Sequence, residues 1–210
     1  RNPRWIGGGP PWDCAGFVPA RFGLTSCDAA GGTVGDKALT RRRDAVALPV
    51  IMRFGINTFL FTSPFTNDST RWFRQFKQWG FDSVEIPIED PAHIDPAYVK
   101  RELDRHGLVC GSVCACLGPD RDLRGTAQQQ RNSLDYLKRV IDQMVVLGSR
   151  SVVGPVYSSV GRAEAVPPAE YRKQWKTVVK HLKVLAAYAQ QRGKQICLEP
   201  LNRFETDFIN

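Results

Sequence analysis

Between Phe81 and Leu117 the chain reads FDSVEIPIEDPAHIDPAYVKRELDRHGLVCGSVCACL. Three patterns follow one another there. FDSVEIPI (Phe81–Ile88) is short and apolar-rich, the pattern of a strand. DPAYVKRELDRHG (Asp95–Gly107) has Pro96 in its first turn and Gly107 at its end, the punctuation of a helix. LVCGSVCACL (Leu108–Leu117) is a second strand. Strand, helix and strand with short connections imply a parallel pair crossed by a helix.

The same alternation extends both ways. Upstream, RFGINTFLF (Arg53–Phe61) reads as a strand and STRWFRQFKQWG (Ser69–Gly80) as a helix. Ser69 is placed to cap that helix, and Trp72, Phe73, Phe76 and Trp79 fall on one face. Downstream, TAQQQRNSLDYLKRVIDQMVVLG (Thr126–Gly148) is a longer helix with Leu134, Leu137, Ile141 and Met144 at helical spacing. SRSVVGPVY (Ser149–Tyr157) is a strand, PPAEYRKQWKTVVKHLKVLAAYAQQRG (Pro167–Gly193) a helix, and KQICLE (Lys194–Glu199) a fifth strand. Trp175, Val178, Leu182, Leu185 and Ala189 stripe the last helix. The result is an α/β chain of about four and a half βα units, closing either as an open doubly wound sheet or as a (β/α)8 barrel. No G-x-G-x-x-G follows the first strand, which argues against a dinucleotide site.

Composition narrows the classes. The 42% hydrophobic and 24% charged content is that of an ordinary globular protein. No apolar run is long enough to span a membrane. The net charge of +8 is divided: residues 1–51 hold seven basic and four acidic residues, and beyond them both signs are interspersed. A nucleic-acid face needs clustered basic residues, so no nucleic-acid partner is expected. Of six cysteines (Cys14, Cys27, Cys110, Cys114, Cys116 and Cys197), three lie in one strand-like run at even positions. They read as small buried hydrophobes on one face, reduced, in a cytoplasmic protein. Their C-x3-C-x-C spacing matches no paired zinc knuckle.

Residues 1–51 carry no strand or helix period, and Met52 is the first methionine. The expectation is that 1–51 are an extraneous or poorly ordered N-terminal extension and that the domain spans 52–210.

In parallel α/β architectures the functional groups gather at the carboxyl ends of the strands. Glu199 stands there, at the tip of the apolar fifth strand. A carboxylate in that place needs an answering charge, which a metal ion, a proton-transfer role, or a plain ion pair to Arg203 or a lysine would supply.

GINTFLFTSPFT, GFDSVEIPIEDP, GLVCGSVCACLGPDRDL, VVGPVYSSVGRA and above all CLEPLNRFETDFIN resemble the ketose 3-epimerases. These are the D-tagatose, D-allulose (psicose) and L-ribulose 3-epimerase group of the xylose-isomerase-like barrels. The resemblance runs from Met52 to Asn210, and E-x-x-N-R-F-E is its most specific motif. It implies a (β/α)8 TIM barrel, here truncated after the fifth strand. It implies a divalent metal (manganese, cobalt or magnesium) held by two glutamates, an aspartate and a histidine from strands five to eight. It implies removal and return of the C3 proton of a ketose through a cis-enediolate, in a full-length enzyme that is a homo-oligomer. By motif, Glu199 matches a metal ligand that also transfers a proton, and Glu205 the glutamate that holds the sugar hydroxyls near C1 to C3. Asn57 falls where relatives place an aromatic or histidine near the substrate, and Leu117 where a pocket side chain approaches it. Val160 falls where some relatives carry tryptophan. The last three depart from the better-known members.

The family's remaining ligands and its second catalytic glutamate have no match before Asn210. None of His93, His106 or His181 replaces the missing ligand by motif. The expectation is a chain inactive alone. The alternatives are another member of the superfamily (a hydroxypyruvate isomerase, an inosose dehydratase, an endonuclease-IV-like phosphodiesterase) or a non-catalytic fragment. The phosphodiesterase needs several histidines at strand ends, and this chain has three in all.

Overall fold

The computed structural model describes residues 52–210. The expectation for residues 1–51 lies outside them. The strands are β1 (Gly55–Asn57), β2 (Ser83–Pro87), β3 (Val109–Cys114), β4 (Ser151–Gly154) and β5 (Gln195–Leu198). The helices are α1 (Phe73–Gln78), α2 (Pro96–Arg105), α3 (Ala127–Leu147) and α4 (Pro168–Gln190), with 3-10 turns at Thr58–Leu60, Asn67–Trp72 and Pro91–His93. The expected alternation is present throughout.

The five strands form one sheet in the order β1-β2-β3-β4-β5, and every neighbouring pair is parallel. A doubly wound sheet reverses its strand order at a switch point, whereas a barrel adds each strand beside the last. Chain order therefore selects the barrel closure of the two the sequence allows. No helix among the described residues is long and apolar enough to cross a membrane.

Local chemistry sets the helix ends. The Asp95 carboxylate accepts from the N–H groups of Ala97 and Tyr98 at 2.9 and 3.2 Å, with Pro96 as the first helical residue of α2. Thr126 and Gln129 form a reciprocal capping box that opens α3. Gly148 ends α3 at φ 76°, a left-handed turn that favours glycine. The first helix departs from expectation. Ser69 does not cap α1, because Thr66 to Trp72 wind first into a 3-10 turn, in which buried Ser69 accepts from the Thr66 N–H at 3.0 Å. Phe73 and Phe76 are fully buried, but Trp79 remains 53% exposed, stacking obliquely on Phe61 and Phe76.

The core lies between sheet and helices. Val84, Ile86, Val113 and Val152 are buried with Val99, Leu103, Leu137, Ile141, Met144 and Leu185 of the helices. At Gly154, φ is 147° and a Cβ would overlap the Ala115 carbonyl oxygen, so only glycine lets β4 approach β3 this closely.

One irregularity changes the cysteine reading. Val84 pairs with Cys110, but Glu85 pairs with Ser112, so Gly111 is an extra residue in β3. The extra residue shifts the side-chain alternation, and the three cysteines do not share a face. Cys110 lies against Leu103, Leu108 and Leu147 on the helix side, while Cys114 faces the Glu85 carboxylate. All four cysteines among the described residues are free.

Candidate functional site

The side chains opposite the helices are small and polar: Gly55, Asn57, Ser83, Glu85 and Ser112 line a shallow cavity of about 210 Å³. Glu85 organises it. Its Oε1 accepts from Asn57 Nδ2 at 2.8 Å and its Oε2 from Ser112 Oγ at 2.5 Å, so one carboxylate ties β1, β2 and β3 together. Asn57 is equally committed, since its Oδ1 accepts from Phe59 N–H at 2.8 Å and caps the turn after β1. The structure thus makes Asn57 a clamp whose amide is occupied at both ends. Sequence reasoning does not single out Glu85. The available signal is the period of two in SVEIP, which puts Ser83 and Glu85 on the face away from Val84 and Ile86.

Above this cavity the strands end. Glu89, two residues past β2, accepts from Ser63 Oγ at 2.7 Å and Phe65 N–H at 3.1 Å, holding the loop after β1. Arg121 donates to the Glu89 carbonyl at 3.1 Å and stacks on Tyr136, its guanidinium carbon 4.1 Å from the ring centre. The Cys114 thiol, half-buried and close to Glu85, Cys116, Glu199 and Glu89, is pushed up to about 12. Burial dominates that shift, because a thiolate would lose its hydration there. Leu117 is 1% exposed and belongs to the core; its carbonyl accepts from Val160 N–H at 3.0 Å, and Val160 itself is exposed.

Glu199 extends the β4–β5 ladder by donating its N–H to the Gly154 carbonyl at 3.1 Å. Its exposed carboxylate enters none of the hydrogen bonds or ion pairs among the described residues. Arg203, the candidate counter-ion, instead stacks on Phe204 at 5.1 Å. Glu205 is also exposed and accepts from Asn202 Nδ2. Glu199 stands two residues before, and Glu205 within, a closed loop, Leu201–Ile209, whose ends meet through Leu201 N–H and the Ile209 carbonyl at 3.1 Å.

Three outside side chains pin that loop. Tyr157 donates to the Ile209 carbonyl at 3.0 Å and Tyr171 to the Phe208 carbonyl at 2.9 Å. Arg124, from the connection after β3, reaches Asp207 with both terminal nitrogens at 2.7 and 3.0 Å.

The histidines stand apart from this arrangement. His93 is exposed in a 3-10 turn, His106 sits 3.8 Å from Glu102 at the end of α2, and His181 pairs with Gln130 at 2.9 Å. Burial, then Lys180, lowers the pKa of His181. Among the described residues no three His, Cys, Asp or Glu side chains converge as a metal site. A single free carboxylate such as that of Glu199 is short of what a divalent ion needs to exchange its waters.

Comparison with known proteins agrees with this geometry. The family model described as xylose isomerase-like TIM barrel matches residues 73–210. A probable ketose 3-epimerase of Synechocystis sp. is 26% identical over 162 residues, covering 76% of this chain and 55% of that protein. An L-ribulose 3-epimerase of Methylomonas sp. is 29% identical over 132 residues, covering 62% and 45%. A 3-dehydro-D-guloside 4-epimerase of Escherichia coli is 28% identical over 149 residues, covering 66% and 53%. A crystal structure of a D-allulose 3-epimerase from Methylomonas sp. superimposes with a TM-score of 0.69 at 26% identity, over 78% of this chain and 57% of that one. The chain spans about half the length of the curated relatives it matches. With its five parallel strands in chain order and this family match over most of its length, the chain belongs to the xylose isomerase-like TIM barrel family.

Proposed function

We propose that the strand-end site serves epimerisation of a ketose at C3, with Glu199 as a proton-transfer carboxylate. The observation that carries this reading is the unpaired state of Glu199. Three glutamates stand on or just beyond β2 and β5, and two are spent: Glu85 on Asn57 and Ser112, Glu89 on Ser63 and Phe65. Glu199 alone keeps both oxygens free to take a proton from carbon, which a general base within hydrogen-bond reach must do.

Inversion requires a second group that returns a proton to the opposite face of the sugar. Among the described residues no second carboxylate is assigned that role. Glu205, held by Asn202 within its loop, retains acceptor capacity for sugar hydroxyls. Asn57 contributes wall, its amide held by Glu85 and Phe59 with one N–H and one lone pair remaining. Leu117 backs the loop carrying Val160. A manganese, cobalt or magnesium ion, which the family resemblance implies, would polarise the ketose carbonyl. The described residues do not build its site.

The test joins residues 52–210 to the segment of the Methylomonas D-allulose 3-epimerase that lies beyond its match. D-fructose, D-allulose and L-ribulose are assayed side by side with manganese. Ketose epimerisation is expected in the joined protein and not in the 210-residue chain. Glu199→Gln should reduce kcat by at least about 100-fold, since glutamine keeps the shape and loses the base. A folded joined protein without activity, or one in which Glu199→Gln turns over normally, overturns the assignment.

A further inference from the structure

Arg124 is the most deeply buried charge in the described chain, with its side chain 0% exposed. Nε donates to Gln174 Oε1 at 2.9 Å, Nη1 to Ser158 Oγ at 3.4 Å, and Nη1 and Nη2 to the two oxygens of Asp207. The guanidinium carbon lies 4.5 Å from the centre of the Phe208 ring. Among these partners only Asp207 carries a compensating charge. A buried ion pair of this kind contributes little net stability against an apolar replacement, because both ions lose their hydration. What it adds is geometry, since a planar fork meets a carboxylate in one orientation.

That geometry concerns the proposed site. Asp207 lies two residues past Glu205, inside the loop that Leu201 and Ile209 close. Arg124 is itself held: Asp122 Oδ1 accepts from its backbone N–H at 2.7 Å, and Asp122 Oδ2 accepts from Arg162 at 2.8 Å. Gly161, next to Arg162, donates its N–H to the Glu205 carbonyl at 3.0 Å. The connections after β3, β4 and β5 are thereby stitched into one ring by two arginine–carboxylate pairs, and Glu205 hangs from that ring.

We propose that Arg124 is a positioning residue for the proton-transfer site: its fork on Asp207 holds the Leu201–Ile209 loop so that Glu205, and Glu199 at its entrance, face the sugar. This rests on the epimerase reading, but its first test does not. Amide hydrogen exchange is followed by peptide mass spectrometry in the 210-residue chain and in three variants: Arg124→Lys, Asp207→Asn, and the double Arg124→Met/Asp207→Leu. The double variant replaces the ions with apolar side chains and guards against simple failure to fold. Peptides covering 199–209 and Gly161 should exchange at least about ten-fold faster in all three, while those covering α2 and β3 stay unchanged. The double variant should melt within a few degrees of the parent.

Uniform acceleration across the chain, unchanged exchange at 199–209, or restored protection there in the double variant would each overturn the proposal. In the joined protein, Arg124→Lys should lower kcat about ten-fold with KM within about two-fold. An effect on KM alone, or none, also overturns it. Inactivity of the joined protein before any substitution counts against the epimerase reading and leaves the exchange result standing.

Discussion

Asn57 gives its amide to the Glu85 carboxylate at 2.8 Å, joining the first two strands on the face opposite the helices. The same carboxylate takes the Ser112 hydroxyl from the third. Replacing Glu85 by leucine strands an amide and a hydroxyl that the fold has already withdrawn from much of their water. We expect a loss of about 1–3 kcal/mol in urea unfolding for Glu85→Leu, and a smaller loss for Glu85→Gln, which keeps one acceptor. Equal stability in all three proteins would show that the cluster contributes nothing.

Gly154 separates backbone strain from backbone contact. Gly154→Ala places a methyl group on the Ala115 carbonyl, and the strand pair must part. A cost above about 2 kcal/mol is expected there. Gly161, at φ 85° with no atom within 4 Å of where an alanine methyl would stand, has only the conformational penalty, about 1 kcal/mol for alanine. The ratio of the two losses in urea is the measurement, and similar values would contradict the contact argument.

Alkali should weaken the fold through its thiols. Burial pushes both Cys110 and Cys114 from an ordinary value of 9.0 up to about 12. Between about pH 9 and 12 the unfolded chain loses these protons while the folded chain keeps them. The unfolded state then binds fewer protons, so stability is full below pH 9 and declines as pH rises towards 12, by up to about 1.4 kcal/mol per pH unit for each thiol. Cys110→Ala should flatten the decline in urea midpoints over that range. An unchanged slope would rule Cys110 out as a cause.

Glu199→Gln should leave the stability of the 210-residue chain within about 0.5 kcal/mol of the parent, because the carboxylate is exposed and holds no partner. A thermal or urea shift well beyond that would show that Glu199 has a structural partner.

The parts of the fold visible in the sequence are those decided locally. Asp95, Thr126 and Gly148 act on groups within four residues of themselves, so α2 and α3 end within a residue or so of where the pattern puts them. Glu199 is legible for the same reason, standing where an apolar strand stops. The rest depends on partners far along the chain. Gly111 is extra only relative to β2, about 27 residues away, so the face of each cysteine is not readable from β3 alone. Glu85 acquires its role from Asn57 and Ser112, and Arg124 from Asp207, 83 residues on. Ser69 resembles a cap because the 3-10 turn before α1 carries no periodicity of its own.

Strand order equal to chain order has a consequence for synthesis. Each βα unit docks against the one made just before it, and no strand must be slipped between two already placed. The sheet can therefore grow from one side as the polypeptide leaves the ribosome, with a single advancing edge exposed at any moment.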